Sequence, residues 1–371
     1  VKVDSRNLEN TFRFEFDQLE LDGQMSNAGE NSAPIFVVGT PRSGTTLTAN
    51  ILGRHSRIFM PGETHFFDDV YARRKSLGSL PDCGTAEKIF SRLTSMYGRY
   101  NEPDDQKRID RVFSAPGAAE ALMGQWKSYK DVFVSFMELQ SRHVQKPRWG
   151  NNVPRDVFNI PEILTFFPEA KVVVCVRDVR DFLLSYQKKW EVSPLDHQER
   201  LQKLYHPILT SLMWKSSMRQ LSLVKKLVAS RNLAILKYED LVSDPEREVR
   251  RLCKTIGEEF ENGMLDVRTH NSSFVRDSEN AIFSASVGRW KEKLSVEEAC
   301  WAHTIAGREM EAVGYGREKL NPSAWRMLGW ALTFPGALHR AVSANKEVIG
   351  GLGAFLVKRG GALFRNTSMA P

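Results

Sequence analysis

Cysteine is scarce. Only Cys83, Cys175, Cys253 and Cys300 occur in 371 residues, and no two form a Cys-x-x-Cys pair. A disulfide framework or a structural zinc site is therefore not expected. Cys175 lies inside the apolar run 172–176, where a reduced core thiol is expected. Long hydrophobic runs are also missing: the longest uncharged C-terminal stretches, 327–339 and 348–357, fall well short of the ~20 apolar residues a spanning helix needs. Residues 1–40 show no basic start followed by a long apolar stretch, so no signal peptide is expected. These absences together predict a soluble, reducing, cytoplasmic protein. No His-x-x-x-His pair or carboxylate cluster suggests a metal, and no repeat or low-complexity tract is visible. Acidic excess is lacking too: 52 Lys and Arg against 45 Asp and Glu leave +7, which favours an anionic ligand or surface but is too mild to call for nucleic acid.

The remainder is ordinary globular material, with 42% hydrophobic and 26% charged residues. Phe12, Phe14 and Phe16 alternate with polar residues and predict a short strand in an arm over 1–33. From Pro34 the order is an apolar run at 35–38, Gly39, a loop, and then Leu47, Ile51 and Leu52 at helical spacing. The same strand-loop-helix order recurs at 170–176 with Phe182, Leu183 and Tyr186, and again at 233–236, followed by a helix capped by Asp244 and opened by Pro245. Apolar strands alternating with amphipathic helices predict a three-layer α/β fold, a parallel sheet with helices on both faces. This domain is assigned to 34–320, with a helical cap inserted at 70–145.

The tail, 321–371, differs in kind. Arg326, Arg340, Lys346, Lys358, Arg359 and Arg365 face one acid, Glu347, and Trp325, Trp330, Phe334, Phe355 and Phe364 stand among glycines. Peripheral membrane contact and packing on the same domain or on a second copy in a homo-oligomer are both compatible with this composition.

Chemistry concentrates at Gly39-Thr40-Pro41-Arg42-Ser43-Gly44-Thr45-Thr46. A glycine-bounded loop between a buried strand and a helix N-terminus points backbone N–H groups inward and cradles an oxyanion. The two glycines are spaced as in a nucleotide-triphosphate P-loop, yet Thr45 stands where that motif requires Lys. Arg42 supplies the charge instead. A purely structural turn, a small-molecule kinase and a non-catalytic nucleotide-binding scaffold are the alternatives.

The segment from Pro41 to Thr46 after a buried strand resembles the 5′-phosphosulfate loop of sulfotransferases that use 3′-phosphoadenosine 5′-phosphosulfate (PAPS). Arg177 at a strand end and Ser185 eight residues later resemble that family's 3′-phosphate grip. The stretches 167–174, 237–241 and 286–290 extend the likeness. The resemblance implies a P-loop-like fold, in-line sulfuryl transfer to a hydroxyl or amine, and adenosine 3′,5′-bisphosphate as product, with no metal required. It implies that Arg42, Ser43, Gly44, Thr45 and Thr46 hold the sulfated phosphate, that Tyr238 lies near the adenine, and that Gly288 and Arg289 close over the 3′-phosphate. In an extended second-strand segment, Glu63 and His65 would share a face, with Glu63 as base and His65 as helper or substitute. Many relatives have Lys-Thr-Pro where this chain has Asn152-Val153-Pro154, so Arg42 or another cation would have to assist catalysis here. A small-molecule, glycan or lipid-linked acceptor fits the resemblance equally well.

Overall fold

The computed structural model describes residues 32–100, 103–113, 117–192, 198–199, 202, 204–267, 282, 284–344 and 360–363. The strand expected around Phe14 lies outside them. Among the described residues, five parallel strands form the sheet: β1 (Ile35–Gly39), β2 (Ile58–Phe59), β3 (Arg148–Asn152), β4 (Lys171–Val176) and β5 (Leu233–Lys237), in the order β2-β3-β1-β4-β5. The chain builds leftward from β1 and then crosses to β4 and β5, so β1 and β4 flank the point where strand order reverses. Ligands of open α/β sheets bind outside the carboxyl ends of the strands at such a point.

Period-two alternation divides β1 and β4 between two cores. Ile35, Val37, Val173 and Cys175 face helix α1 (Thr45–Arg54), while Phe36, Val38, Val172, Val174 and Val176 face the opposite layer. Both faces are covered, which is why these strands read as continuous apolar runs. Cys175 is buried as expected, and burial pushes its thiol up to about 12.

Between β2 and β3 the chain is helical, in α2 (Cys83–Tyr100), α3 (Pro103–Val112), α4 (Ala118–Gly124) and α5 (Tyr129–His143). Beyond β4 come α6 (Val179–Gln187) and α7 (Pro207–Leu227). After β5 follow α8 (Tyr238–Ser243) and α9 (Pro245–Ile256), where Asp244 caps the backbone N–H of Arg247 at 3.3 Å and Pro245 takes the first turn. Further along come α10 (Val296–Ala312) and α11 (Ala324–Ala344). Among the described residues, no helix is long and apolar enough to cross a membrane.

Candidate active site

Strand register brings the expected residues to one edge. Gly39 pairs with Cys175 and Val176 pairs with Lys237, so Thr40, Arg177 and Tyr238 leave three neighbouring strands at nearly the same level. Each glycine of the loop answers a specific close approach. A Cβ on Gly39 (φ 145°) would sit 2.3 Å from the carbonyl oxygen of Cys175, and one on Gly44 (φ 89°) would sit 2.7 Å from the Tyr238 ring. Side chains at either position would drive the loop off the sheet or off Tyr238.

Helix α1 begins at Thr45 with no acidic residue in its first turn, leaving the positive end of its dipole open to an anion. Within the loop, Arg42 adopts φ 68°, a left-handed conformation that L-residues hold only when their surroundings require it. Its side chain turns back so that Nε donates to Ser185 Oγ at 3.1 Å. Arg177 donates from Nη1 to the Arg42 carbonyl at 3.2 Å and from Nη2 to the Ser286 carbonyl at 3.0 Å. Its guanidinium lies 4.3 Å above the Tyr238 ring, and the Tyr238 hydroxyl meets Ser286 Oγ at 2.6 Å. Burial and the neighbouring Arg177 charge pull Arg42 down to about 10. Bringing two guanidiniums together costs energy that a bound anion would offset.

Two acids near Arg177 bond to other groups as well. Asp178 caps α6 through the N–H of Arg180 (2.8 Å) and pairs with the Arg180 guanidinium at 2.6 Å. Asp181 accepts the N–H groups of Gly288 (2.6 Å) and Trp290 (3.0 Å), drawing the loop that carries Gly288 and Arg289 over the start of α6. The Arg180 guanidinium lies 4.0 Å above the Trp290 ring, with the Lys291 ammonium at 5.7 Å. Three buried polar atoms here, Thr40 Oγ1, Ser43 Oγ and Arg177 Nε, have no hydrogen-bond partner. Hydroxyls and a guanidinium N–H left in this state fit a phosphate-bearing ligand.

The Glu63 region departs from expectation. Strand β2 ends at Phe59, and Glu63 lies in the loop beyond it. His65 takes φ 50°, the left-handed region, because Phe66 and Phe67 must turn at once into the core, where Phe66 stacks on Phe133 at 4.6 Å. The two side chains nevertheless meet, with Glu63 Oε2 3.0 Å from His65 Nε2. Thr64 Oγ1 donates to Asn151 Oδ1 at 2.8 Å, which fastens this loop to the carboxyl end of β3, beside β1. Asn152, at the departure from the Lys-Thr-Pro pattern, is buried with its Oδ1 unpartnered. Sequence reasoning missed Asp68, Arg155 and Asp156 around His65, since nothing in their spacing marks them as neighbours. Ser286 was visible only as part of a signpost stretch. An open cleft of about 610 Å³ between α2 and α3, lined by Phe90, Thr94, Ile109 and Phe113 among others, includes none of these residues.

A glycine-bounded loop joining the first strand to the first helix of a parallel, doubly covered sheet defines a P-loop-like α/β protein. The chain belongs to the sulfotransferase family, whose signature it matches over residues 34–262. It is similar to protein-tyrosine sulfotransferase A of Caenorhabditis elegans, 22% identical over 250 residues that cover 66% of this chain and 56% of that one. It is also similar to nodulation protein NoeE of Sinorhizobium fredii (strain NBRC 101917 / NGR234), 22% identical over 301 residues that cover 74% of this chain and 64% of that one. Among solved structures, the sulfotransferase domain from the curacin biosynthetic pathway aligns with a TM-score of 0.49 at 19% identity, covering 77% of this chain and 99% of that one. The chain spans less than two thirds of the length of these two curated relatives.

Proposed function

We propose that this chain transfers a sulfuryl group from PAPS to a hydroxyl or amine acceptor by in-line displacement. The observation that carries this reading is the gathering of Arg42, Arg177 and Ser185, with unpartnered Ser43 and Thr40 hydroxyls, at the β1/β4 edge. PAPS would supply an SO3 group on a phosphate leaving group. Ser43, Gly44, Thr45 and Thr46 hold the sulfated 5′-phosphate with the N-terminus of α1. Arg177 and Ser185, with Gly288 and Arg289, hold the 3′-phosphate, and Tyr238 flanks the adenine. Glu63 removes the acceptor's proton as the new bond to sulfur forms, with His65 as its helper. Arg42 neutralises charge on the oxygen left behind when the old sulfur–oxygen bond breaks. We assign 34–320 as the catalytic domain and the helices within 70–145 as the cap beside the acceptor.

Thermal shift tests the donor assignment. Adenosine 3′,5′-bisphosphate at ~100 times its Kd is expected to add ~2.7 kcal/mol of stability, with weaker responses to AMP and ATP. No response to the bisphosphate, or equal response to all three, would remove the PAPS reading and leave a kinase or a scaffold.

We also propose that α11 seats the protein on anionic membrane surfaces, with an amphiphilic or lipid-linked acceptor to match. The expected anchors divide. Trp330 and Phe334 turn inward onto the buried His206, at ring separations of 5.2 and 5.9 Å, while Phe355 and Phe364 lie outside the described residues. Trp325 (82% exposed) and Leu332 (72%), with Leu328 and Leu338, face outward on a helix that carries Arg326 and Arg340 and no acid. Such a face combines apolar insertion with ~1 kcal/mol per basic residue near the surface. Trp325→Ser with Leu332→Ser is expected to abolish cosedimentation with anionic vesicles at low salt while neutral vesicles bind neither form. Unchanged binding, or none by the parent chain, would make α11 a packing or dimerisation element. A cytoplasmic setting suits the four free thiols.

A further inference from the structure

We infer that Trp214 and Glu239 are positioning residues for the 3′-phosphate grip: between them they hold both polar ends of the peptide group that joins Arg177 to Asp178. This rests on the reading of Arg177 and Ser185 as the pair that holds the 3′-phosphate. The Arg177 carbonyl accepts from Trp214 Nε1 at 2.9 Å, and the Asp178 N–H donates to Glu239 Oε1 at 3.0 Å. That carbonyl and that N–H belong to one planar unit. The side chains that reach it come from different elements, Trp214 from α7 and Glu239 from α8, directly after β5. Glu239 is held in turn, its Oε2 accepting from the Tyr315 hydroxyl at 2.5 Å.

The pinned peptide lies where regular structure gives it no partner. Strand pairing between β4 and β5 ends at Val176 with Lys237, and α6 opens at Val179. A backbone carbonyl and N–H in such a gap need side chains to satisfy them. The torsions on either side of the plane, ψ of Arg177 and φ of Asp178, set the direction in which α6 leaves the sheet. Turning either one would swing Ser185, whose hydroxyl lies 3.1 Å from Arg42 Nε, away from the strand exit that carries Arg177. Two groups that must converge on one dianion therefore keep their separation before the ligand arrives, which lowers the cost of ordering them on binding. The guanidinium end of Arg177 is fixed separately, by the carbonyls of Arg42 and Ser286. Neither brace is suited to touch the phosphate itself. Trp214 is fully buried and its one N–H is spent on the Arg177 carbonyl, while a carboxylate such as Glu239 repels an anion.

Calorimetric titration of the full chain with adenosine 3′,5′-bisphosphate and with AMP tests this, because AMP lacks only the 3′-phosphate. The parent chain is expected to prefer the bisphosphate and Arg177→Ala to lose that preference. Trp214→Phe keeps an aromatic ring and removes the N–H. It is expected to reduce the preference roughly three- to tenfold, through weaker binding of the bisphosphate with AMP almost unaffected. Glu239→Ala is expected to act in the same way, whereas Glu239→Gln, whose amide oxygen can still accept from Asp178, keeps the parent's preference. A loss of packing alone would weaken both ligands together and would not be rescued by glutamine. If Trp214→Phe does not fold, the two Glu239 variants, at a half-buried position, still carry the test. Either Trp214→Phe or Glu239→Ala leaving the preference unmoved or weakening both ligands alike, or Glu239→Gln failing as fully as Glu239→Ala, would overturn this inference alone, provided that Arg177→Ala has lost the preference. A parent chain without the preference, or Arg177→Ala that retains it, would overturn the reading of Arg177 and this inference together.

Discussion

Glu63→Gln is expected to lower turnover of PAPS by about 10²- to 10⁴-fold while leaving adenosine 3′,5′-bisphosphate bound almost as tightly as before. The amide has the shape of the carboxylate and keeps an oxygen beside His65 Nε2, which lies 3.0 Å from Glu63 Oε2. What disappears is the proton acceptor. The contacts proposed for the nucleotide run through Arg42, Arg177 and Ser185, at the strand edge around β1 and β4, so its affinity is expected to change little. His65→Asn should cost less, because the base survives and loses only its clamp. Single-turnover transfer from sulfur-labelled PAPS to a panel of phenols, alcohols and amines, paired with thermal shift by the bisphosphate, measures both quantities. Full rate in Glu63→Gln together with none in His65→Asn would reverse the two roles.

Arg177→Ala is expected to remove selectivity for the 3′-phosphate. Deleting one member of a buried, charge-assisted contact costs about 2–5 kcal/mol, roughly thirtyfold to several thousandfold in Kd for the bisphosphate. AMP, which has no 3′-phosphate, should bind Arg177→Ala and the parent chain with similar affinity. In the ligand-free protein the substitution gives up two hydrogen bonds to carbonyls and the stacking on Tyr238. It also relieves Arg42, whose guanidinium is pulled down to about 10 by burial and then by Arg177. The loss on removing Arg177 should therefore be far larger in the bisphosphate complex than in the free protein. Calorimetric titration with the bisphosphate and AMP separates the cases. An equal loss for both ligands would mean that Arg177 serves mainly to hold Tyr238 and the loop in place.

Much of the loop at the β1/β4 edge was legible because its parts are local. A strand, a glycine-bounded loop and a helix N-terminus occupy residues 35–54 consecutively, and Arg177 and Ser185 share one strand-to-helix passage. The Glu63 side was half legible. Glu63 and His65 were expected to act together, but through an extended strand that the packing of Phe66 and Phe67 does not permit. The tail was legible in composition only, since charge and aromatic content do not say which face of a helix a neighbour will cover.

By itself the sequence determined the period-two and helical patterns, and with them a parallel sheet covered on both sides and a glycine-bounded loop at its edge. Those patterns are imposed by backbone geometry within a few residues. Tertiary structure alone decided the pairings across long separations: Arg42 with Ser185, Tyr238 with Ser286, Asp68 with Arg155, and His206 beneath Trp330. Each depends on how strands align in register and helices settle on the sheet. Such contacts follow from the burial of many side chains at once, and no local spacing encodes them.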